Sequence, residues 1–370
     1  MVQPLEGFTV GITADRRWAE QAELLRRHGL TVVHAPCIRT LPLGAEDGVR
    51  AATDAVIARP PDFLVANTAI GVRGWLASAA GWGLETDLVD ALVGARILAR
   101  GPKAAGTLRA AGLDVWWQAP TEQLADVRDH LLRQPLGDRR VAVLYHGDDN
   151  DQISPAVRGA GGTAVGIPVY RWTPPQDREP ALRLISDVCA RRVDAVTFTA
   201  APALRNFFTL ADELGARDAV RDAMNDEVIA ACIGPVCAAA AHDAGIRSPA
   251  VPDRWRLGAL VHTLARHLES KRRRFRMAGT EVVRQGAVAV VDDVAIWLSD
   301  RERALIDMLA QRPGATVPKS ALLRGVWGSA GTDEHVLSVT VARLRSKLGP
   351  AGPGIKTVVR RGYRMATDQR

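Results

Sequence analysis

"DFLVANTAIGVRGW", Asp62–Trp75, and "DAVTFTAAPALRNF", Asp194–Phe207, are the two stretches on which the fold turns. Each opens with an aspartate, runs through a short apolar segment, and reaches an arginine (Arg73, Arg205) and an aromatic at matching places. They start 132 positions apart, at 62 and 194. The same offset relates "TVVHAP" from Thr31 to "TAVGIP" from Thr163. An offset of 133 relates "GPKAAGTLRAAGL", Gly101–Leu113, to "GPVCAAAAHDAGI", Gly234–Ile246. One such match could be chance; three at nearly one offset predict two similar lobes within residues 1–268.

Around these stretches, short apolar runs alternate with helical patterns. "FTVGIT" precedes a helix over 18–28 and "TVVHAP"; "RRVAVLYHG" precedes a helix over 153–159 and "TAVGIPVY". Such alternation with near-continuous apolar strands predicts an α/β protein with parallel sheets covered on both faces. Ligands of these sheets lie beyond the carboxyl ends of the strands. The candidate lining is therefore Thr13, Thr68, Gly101, Pro102, Lys103, His146, Tyr170, Thr199, Gly234 and Pro235, with Cys237 on the first turn of the helix that follows. A Gly-Pro turn opening a helix presents backbone amides, which suit an anionic group. Structural readings stand beside these: Tyr170 as a half-buried aromatic, His146 as a strand-end hydrogen-bonder, Lys103 as a solvated lysine, Arg73 and Arg205 as matched salt-bridge positions. "HGDDND", His146–Asp151, has an acidic pair but lacks the lysine pattern of a phosphorylation receiver.

The 370 residues, 47% hydrophobic, are enough for several filled cores. The opening "MVQPLEGF" has no secretory pattern, and the most apolar run, 228–241, is too short to span a bilayer, so a cytoplasmic protein without membrane partner is expected. Cys37, Cys189, Cys232 and Cys237 lack C-x-x-C spacing and read as thiols, with no metal and no cofactor expected. Charge is uneven. Residues 1–268 hold 29 Lys+Arg against 31 Asp+Glu, whereas 269–370 hold 19 against 10, a net of +9. That asymmetry implies a polyanionic partner for the C-terminal end, nucleic acid first.

"ESKRRRFRM", Glu269–Met277, reads as a boundary, with a basic linker over 269–276 and a second domain over 277–370. Valine-rich alternation over 277–299 predicts a small antiparallel sheet. Three helices follow, signalled by Ser299, Pro318 and Asp333 at their starts. In the third, Leu337, Val341, Leu344 and Leu348 form one stripe. "IKTVVRRGYRM", Ile355–Met365, predicts a hairpin with a basic Arg360-Arg361-Gly362 tip.

The motifs "VGITADRRWAEQAELLRRHG", "DFLVANTAIGVRGW", "VAVLYHGDD", "GIPVYRWTPP", "DAVTFTAAPALRNFF" and "IAACIGPVCAAAAHDAG" resemble uroporphyrinogen-III synthase over residues 5–268. The resemblance implies two lobes joined by a two-stranded ladder, Pro36–Pro42 beside Ile167–Thr173. Lobe 1 would comprise 1–37 and 172–268, and lobe 2 would comprise 42–166. It also implies cofactor-free closure of a linear tetrapyrrole carrying eight carboxylates, with Tyr170 as the candidate catalytic proton donor. The sequence departs from the family pattern where hydroxyls are expected: Ala104 and Cys237 stand in place of threonines, Ile70 in place of an amide side chain, and "TAAP", Thr199–Pro202, lacks both serines. A site stripped of donors leaves anionic ligand groups unpaired, at about 1–3 kcal/mol each.

The last domain resembles the OmpR/PhoB-type winged helix, carried by "LSDRERALIDMLAQRPG", "LLRGVWG", "SVTVARLRSKLG" and "KTVVRRGYRM", with one extra residue before the hairpin arginine. The resemblance implies a recognition helix in the major groove of double-stranded promoter DNA and a wing over its phosphates. His335, Ser338, Thr340, Arg343, Arg345 and Lys347 on the helix, with Thr357, Arg360 and Arg361 on the wing, are the DNA-binding candidates. The fusion resembles actinobacterial synthase-like regulators of nitrate and nitrite assimilation. Its expected function is that of a transcriptional regulator sensing a small anionic or tetrapyrrole-like ligand, or a partner protein, through a degenerate synthase. The alternative is an active synthase with an appended DNA-binding domain.

Overall fold

The computed structural model describes residues 2–44, 48–145, 147, 152–329 and 333–367. Two compact units emerge: residues 1–38 with 174–370, and residues 39–173. The first unit opens with β1 (Thr9–Ile12), α1 (Trp18–Arg26) and β2 (Thr31–His34). The chain then builds the whole second unit: β3 (Arg39–Pro42), α2 (Val49–Ala58), β4 (Phe63–Ala66), α3 (Ala69–Gly81), α4 (Glu85–Val93), β5 (Arg96–Ala99), α5 (Pro102–Ala110), β6 (Val115–Gln118), α6 (Leu124–Leu132), β7 (Arg140–Leu144), α7 (Ser154–Gly159), β8 (Thr163–Ile167) and β9 (Tyr170–Thr173). It returns to the first unit with α8 (Glu179–Cys189), β10 (Ala195–Phe198), α9 (Ala201–Glu213), α10 (Arg217–Asp226), β11 (Ile229–Cys232), α11 (Pro235–Asp243) and α12 (Leu257–Ser270).

The predicted duplication is visible in the topology. The first unit has a parallel sheet of order β11-β10-β1-β2, the second one of order β6-β5-β4-β7-β8. Superposing the repeats by sequence offset pairs β11 with β5, β10 with β4, β1 with β7 and β2 with β8, so the two orders agree strand for strand and β6 is an addition. Phe63–Ala66 and Ala195–Phe198 are buried throughout, as central strands covered by helices on both faces must be. In the second unit one face packs Trp75, Leu88 and Leu108, and the other packs Val127, Leu131 and Val157. In the first, Phe8, Leu25 and Leu264 fill one face. β3 and β9 form the two-stranded ladder, with Arg39 opposite Thr173 and Pro42 opposite Tyr170. The boundary between units falls at Ile38 and Pro174, so both ladder strands belong to the second unit.

The C-terminal head continues the first unit: β12 (Arg273–Met277), β13 (Thr280–Gln285), β14 (Val288–Val291), β15 (Val294–Trp297), α13 (Asp300–Ala310), β16 (Val317–Pro318), α14 (Lys319–Trp327), α15 (Glu334–Lys347), β17 (Ile355–Val358) and β18 (Gly362–Met365). The basic run expected to be a linker is not one. Glu269 and Ser270 end α12, and Arg273–Met277 pairs antiparallel with β13, turning Met277 into the core while Arg273, Arg274 and Arg276 face outward. Its alternation satisfies an edge strand and its charges protect the edge from further pairing.

The head is joined to the first unit by backbone contacts. Ala287 N–H donates to Gly7 O (2.7 Å), and Gln285 Nε2 donates to Glu6 O (2.9 Å). Gly7 has φ 94, and a methyl group placed on it would lie 2.7 Å from Val288 Cγ2. Gly286, at φ 49, backs directly on to the Gly7 carbonyl. Arg303 donates to Arg191 O beside this seam. Asp194 accepts from Thr9 N–H (2.8 Å); burial pushes its carboxyl above the usual range, against the Thr9 hydrogen bond and the charges of Arg303, Lys271 and Arg284.

Within the head, Ser299 and Glu302 form a reciprocal capping box at α13, and Asp333 caps α15 by accepting from His335 N–H (2.9 Å). Leu337, Val341, Leu344 and Leu348 are all buried, the single stripe expected of α15. β16, β18 and β17 form the wing sheet. The extra residue of the hairpin is absorbed at Arg360, which adopts a left-handed φ of 61 in the turn.

Candidate functional site

In the second unit, Thr68, just beyond β4, meets Tyr170, which opens β9. Thr68 is the N-cap of α3: its Oγ1 accepts from Gly71 N–H (3.1 Å) and lies 3.3 Å from Tyr170 Oη. Tyr170 is only 5% exposed and belongs to the hydrophobic core. Gly101 begins α5, followed by Pro102 and Lys103, both exposed. Ala104 is buried where a hydroxyl is expected. His146 lies outside the described residues.

In the first unit the candidates separate. Thr13 is fully buried and its Oγ1 donates to Thr197 O (2.8 Å), so it fastens β1 to β10 and presents nothing to a ligand. Thr199 is half-buried just beyond β10. Gly234 is buried beneath Trp255: a methyl group on it would lie 3.0 Å from the indole Cγ. Pro235 is exposed on the first turn of α11. Cys237 is 2% exposed and its Sγ contacts Phe198 O (3.4 Å). A hydrogen bond with Cys232, followed by burial, pushes its thiol far above the usual range, so it is an inert filler of the turn. Cys37, Cys232 and Cys189 are likewise free thiols, and among the described residues no cluster could hold a metal ion.

Sequence reasoning missed three residues at these turns. Trp255 covers Gly234, and Glu122 covers Gly101, each from a distant loop. Arg100, directly after β5, has its pKa lowered by burial, with the charges of Tyr170 and Glu122 acting in the opposite sense. Only its mismatch with Ile233 in the other repeat signals it in the sequence.

The head gathers a second constellation. His335, Thr340 and Arg343 line a groove of about 550 Å³ against Ser299, Asp300, Arg301 and Glu302 at the start of α13. Arg343 is exposed and makes no hydrogen bond or ion pair with a described residue. Ser338 and Thr340 hydroxyls donate to the carbonyls of His335 and Val336 (both 2.8 Å), leaving their lone pairs as acceptors. Arg345 and Lys347 are engaged with partners within the head. Arg345 Nε and Nη2 donate to Ile355 O (2.8 and 2.6 Å), and Nη2 also donates to Thr357 Oγ1 (2.9 Å), which binds the helix to the wing. Lys347 donates to Glu302 Oε2 (2.7 Å) and Trp297 O (3.0 Å). Both cations, and the hydroxyl of Thr357, serve the fold before they serve a ligand.

Arg360 and Arg361 stay exposed at the wing tip. Lys356 and Arg364 stand directly opposite each other across β17 and β18, both exposed. Like charges so placed repel, and a phosphate backbone relieves that repulsion. They were legible as alternate residues of the hairpin but were passed over for its tip. Among the described residues, no helix is long and apolar enough to cross a membrane.

Comparison with known proteins matches both halves. The family described as uroporphyrinogen-III synthase HemD matches residues 19–262, and that described as transcriptional regulatory protein, C terminal, matches residues 293–365. The chain is 26% identical over 271 residues to the uncharacterized protein YjjA of Bacillus subtilis, covering 73% of this chain and 100% of that protein. It is 37% identical over 73 residues to the transcriptional regulatory protein KdpE of Mycobacterium tuberculosis, covering 20% of this chain and only 29% of KdpE. A mutant uroporphyrinogen III synthase from Thermus thermophilus superposes with a TM-score of 0.57 at 29% identity, over 71% of this chain and all of that one.

Proposed function

We propose, for a chain that belongs to the uroporphyrinogen-III synthase HemD family and carries an OmpR/PhoB-type DNA-binding domain, that the synthase part is a receptor and the head its output. The protein is a cytoplasmic transcriptional regulator of double-stranded promoter DNA, whose HemD-like units take a small anionic or tetrapyrrole-like ligand or a partner regulator. Genes of nitrate and nitrite assimilation are its targets in this proposal, drawn from the sequence motifs alone. One observation carries the loss of catalysis. At the two Gly-Pro turns, Ala104 and Cys237 are buried where hydroxyls are expected, and Thr13 is committed to Thr197. These three positions thus supply no hydroxyl donor to transition-state charge.

DNA is held by Arg343 and the wing cations, with base discrimination from the exposed face of α15. A ligand alters DNA affinity only through different affinities for the free and DNA-bound protein. The competing reading, an active synthase with a DNA-binding head, is favoured by Tyr170, whose hydroxyl remains at the start of β9 beside Thr68. Incubation of the full chain with hydroxymethylbilane decides between them. We expect no type III isomer above the uncatalysed background; turnover that Tyr170→Phe abolishes would overturn the receptor reading.

A further inference from the structure

The duplication places one aspartate in two settings. Asp62 and Asp194 stand just before β4 and β10, and each carboxylate accepts a main-chain N–H from the neighbouring strand at 2.8 Å, from Arg140 and Thr9 respectively. In the second unit the residue before Arg140 is Arg139, whose Nη1 also donates to Asp62 (2.7 Å). The residue before Thr9 is instead Phe8, buried in the core. Asp194 therefore lacks the cation that Asp62 finds on its own unit. The consequence is visible in the two carboxyls: Asp62 is held below its usual value by the Arg140 N–H and Arg139, whereas burial pushes Asp194 up.

The cations around Asp194 come from the junction and the head. Arg303 of α13 donates to Arg191 O, and Lys271, which caps the end of α12, donates to Glu227 O. These two carbonyls flank the carboxylate in the fold. Arg191 leads into β10, and Asp194 O accepts from Ile229 N–H (3.0 Å), just after Glu227. The backbone of the head closes on the same face, with Ala287 N–H donating to Gly7 O (2.7 Å). Gly7 and its counterpart Asp138 share a left-handed turn, at φ 94 and 60, but only the glycine lets a second backbone lie against it. None of these residues is among the DNA-binding candidates.

We propose that the face at the amino ends of β1 and β10 is a dedicated docking surface for the chain's own head, in which Asp194 takes its counter-charges from the junction and head, so that the head reads DNA as a rigid extension of the first unit. The inference rests on the head's role as output and adds the surface through which the first unit governs it. Removing one member of such a charge cluster is more costly than removing both partners, because it strands the other in a poorly solvated place.

Hydrogen exchange of the Ala287 amide in the full chain reports docking directly, because that N–H is held by Gly7 O. Arg303→Met should speed it at least tenfold. Asp194→Asn keeps an acceptor for Thr9 and removes the charge; added to Arg303→Met, it should recover at least half of the change on a logarithmic scale, whereas Asp62→Asn added instead should recover none. Ala287 exchange unaltered by Arg303→Met, or a double variant with Asp194→Asn as fast as the single one, would overturn the docking surface and leave the receptor reading standing. A rise shared equally by Phe63–Ala66 of the second unit in Arg303→Met would mark general loosening and overturn it too. Failure of the parent to bind duplex DNA, with the exchange pattern as expected, would overturn the receptor reading and leave the docking surface in place.

Discussion

Arg345→Ala separates a cation that grips DNA from one that holds the reading head in shape. Arg345 donates twice to Ile355 O and once to Thr357 Oγ1, at 2.6–2.9 Å. Ile355 is buried, so its carbonyl loses a charged donor without ready replacement by water. A hydrogen bond to a charged group contributes about 1.5–3 kcal/mol, and the exposed Thr357 contact adds little. The guanidinium also lies over the Tyr363 ring at 5.9 Å, worth under about 1 kcal/mol at a half-exposed site. The expected cost is about 2 kcal/mol, felt locally at β17 and β18. Amide hydrogen exchange over residues 355–358 and 362–365 should therefore speed up about thirtyfold. DNA affinity should fall, but the slope of log K against log salt should not change, since no phosphate contact is removed. Arg343→Ala should instead reduce that slope by about 0.9 if Arg343 meets a phosphate. Unchanged wing exchange in Arg345→Ala, together with a slope reduced by about 0.9, would refute the strut and restore Arg345 to the DNA surface.

Two further outcomes follow from contacts of the head. Gly7→Val places a side chain at φ 94 against Val288; it should loosen the head from the first unit, expose the segment around Gln285 to limited proteolysis, and split thermal unfolding into two steps, whereas an unchanged digest and single transition would contradict the seam described above. Glu302 is pushed up by burial, but its hydrogen bonds with Lys347 and Ser299 and the Lys347 charge outweigh this and hold its carboxyl below the usual value of 4.5. Its stabilising contribution is therefore present above about pH 4.5 and lost as pH falls through the lower folded value. The stability difference between the parent and Glu302→Gln should shrink over that interval, and a difference constant from pH 7 to 3 would exclude the mechanism.

The duplicated architecture was readable because equivalent strands and helices kept their spacing: α3 and α9 begin at Ala69 and Ala201, α5 and α11 at Pro102 and Pro235. The helix starts of the head were readable from Ser299 and Asp333, whose capping is local. The basic run at 269–276 misled because four consecutive cations hid the alternation of Phe275 and Met277, which directs β12 into the head. For Arg345 and Lys347 the sequence did not show their partners within the head. Their helical phase suggested solvent, but their partners arrive from the wing and from α13, 10 and 45 positions away. Glu122 and Trp255, which cover the two Gly-Pro turns, come from loops that no local pattern ties to those turns. Thr13 looked like a ligand contact because it ends a strand; that its hydroxyl is spent on the neighbouring strand is a property of the sheet.

The ladder has a consequence for how such a protein can diversify. Because Arg39 lies opposite Thr173, the chain leaves for the second unit and comes back at points about 5 Å apart. Residues 39–173 are in effect a cassette plugged into a socket of fixed width, while the whole route from Pro174 to the recognition helix runs outside it. Replacing the cassette leaves every strand that carries the head untouched, so the second unit and the DNA-binding head can change independently.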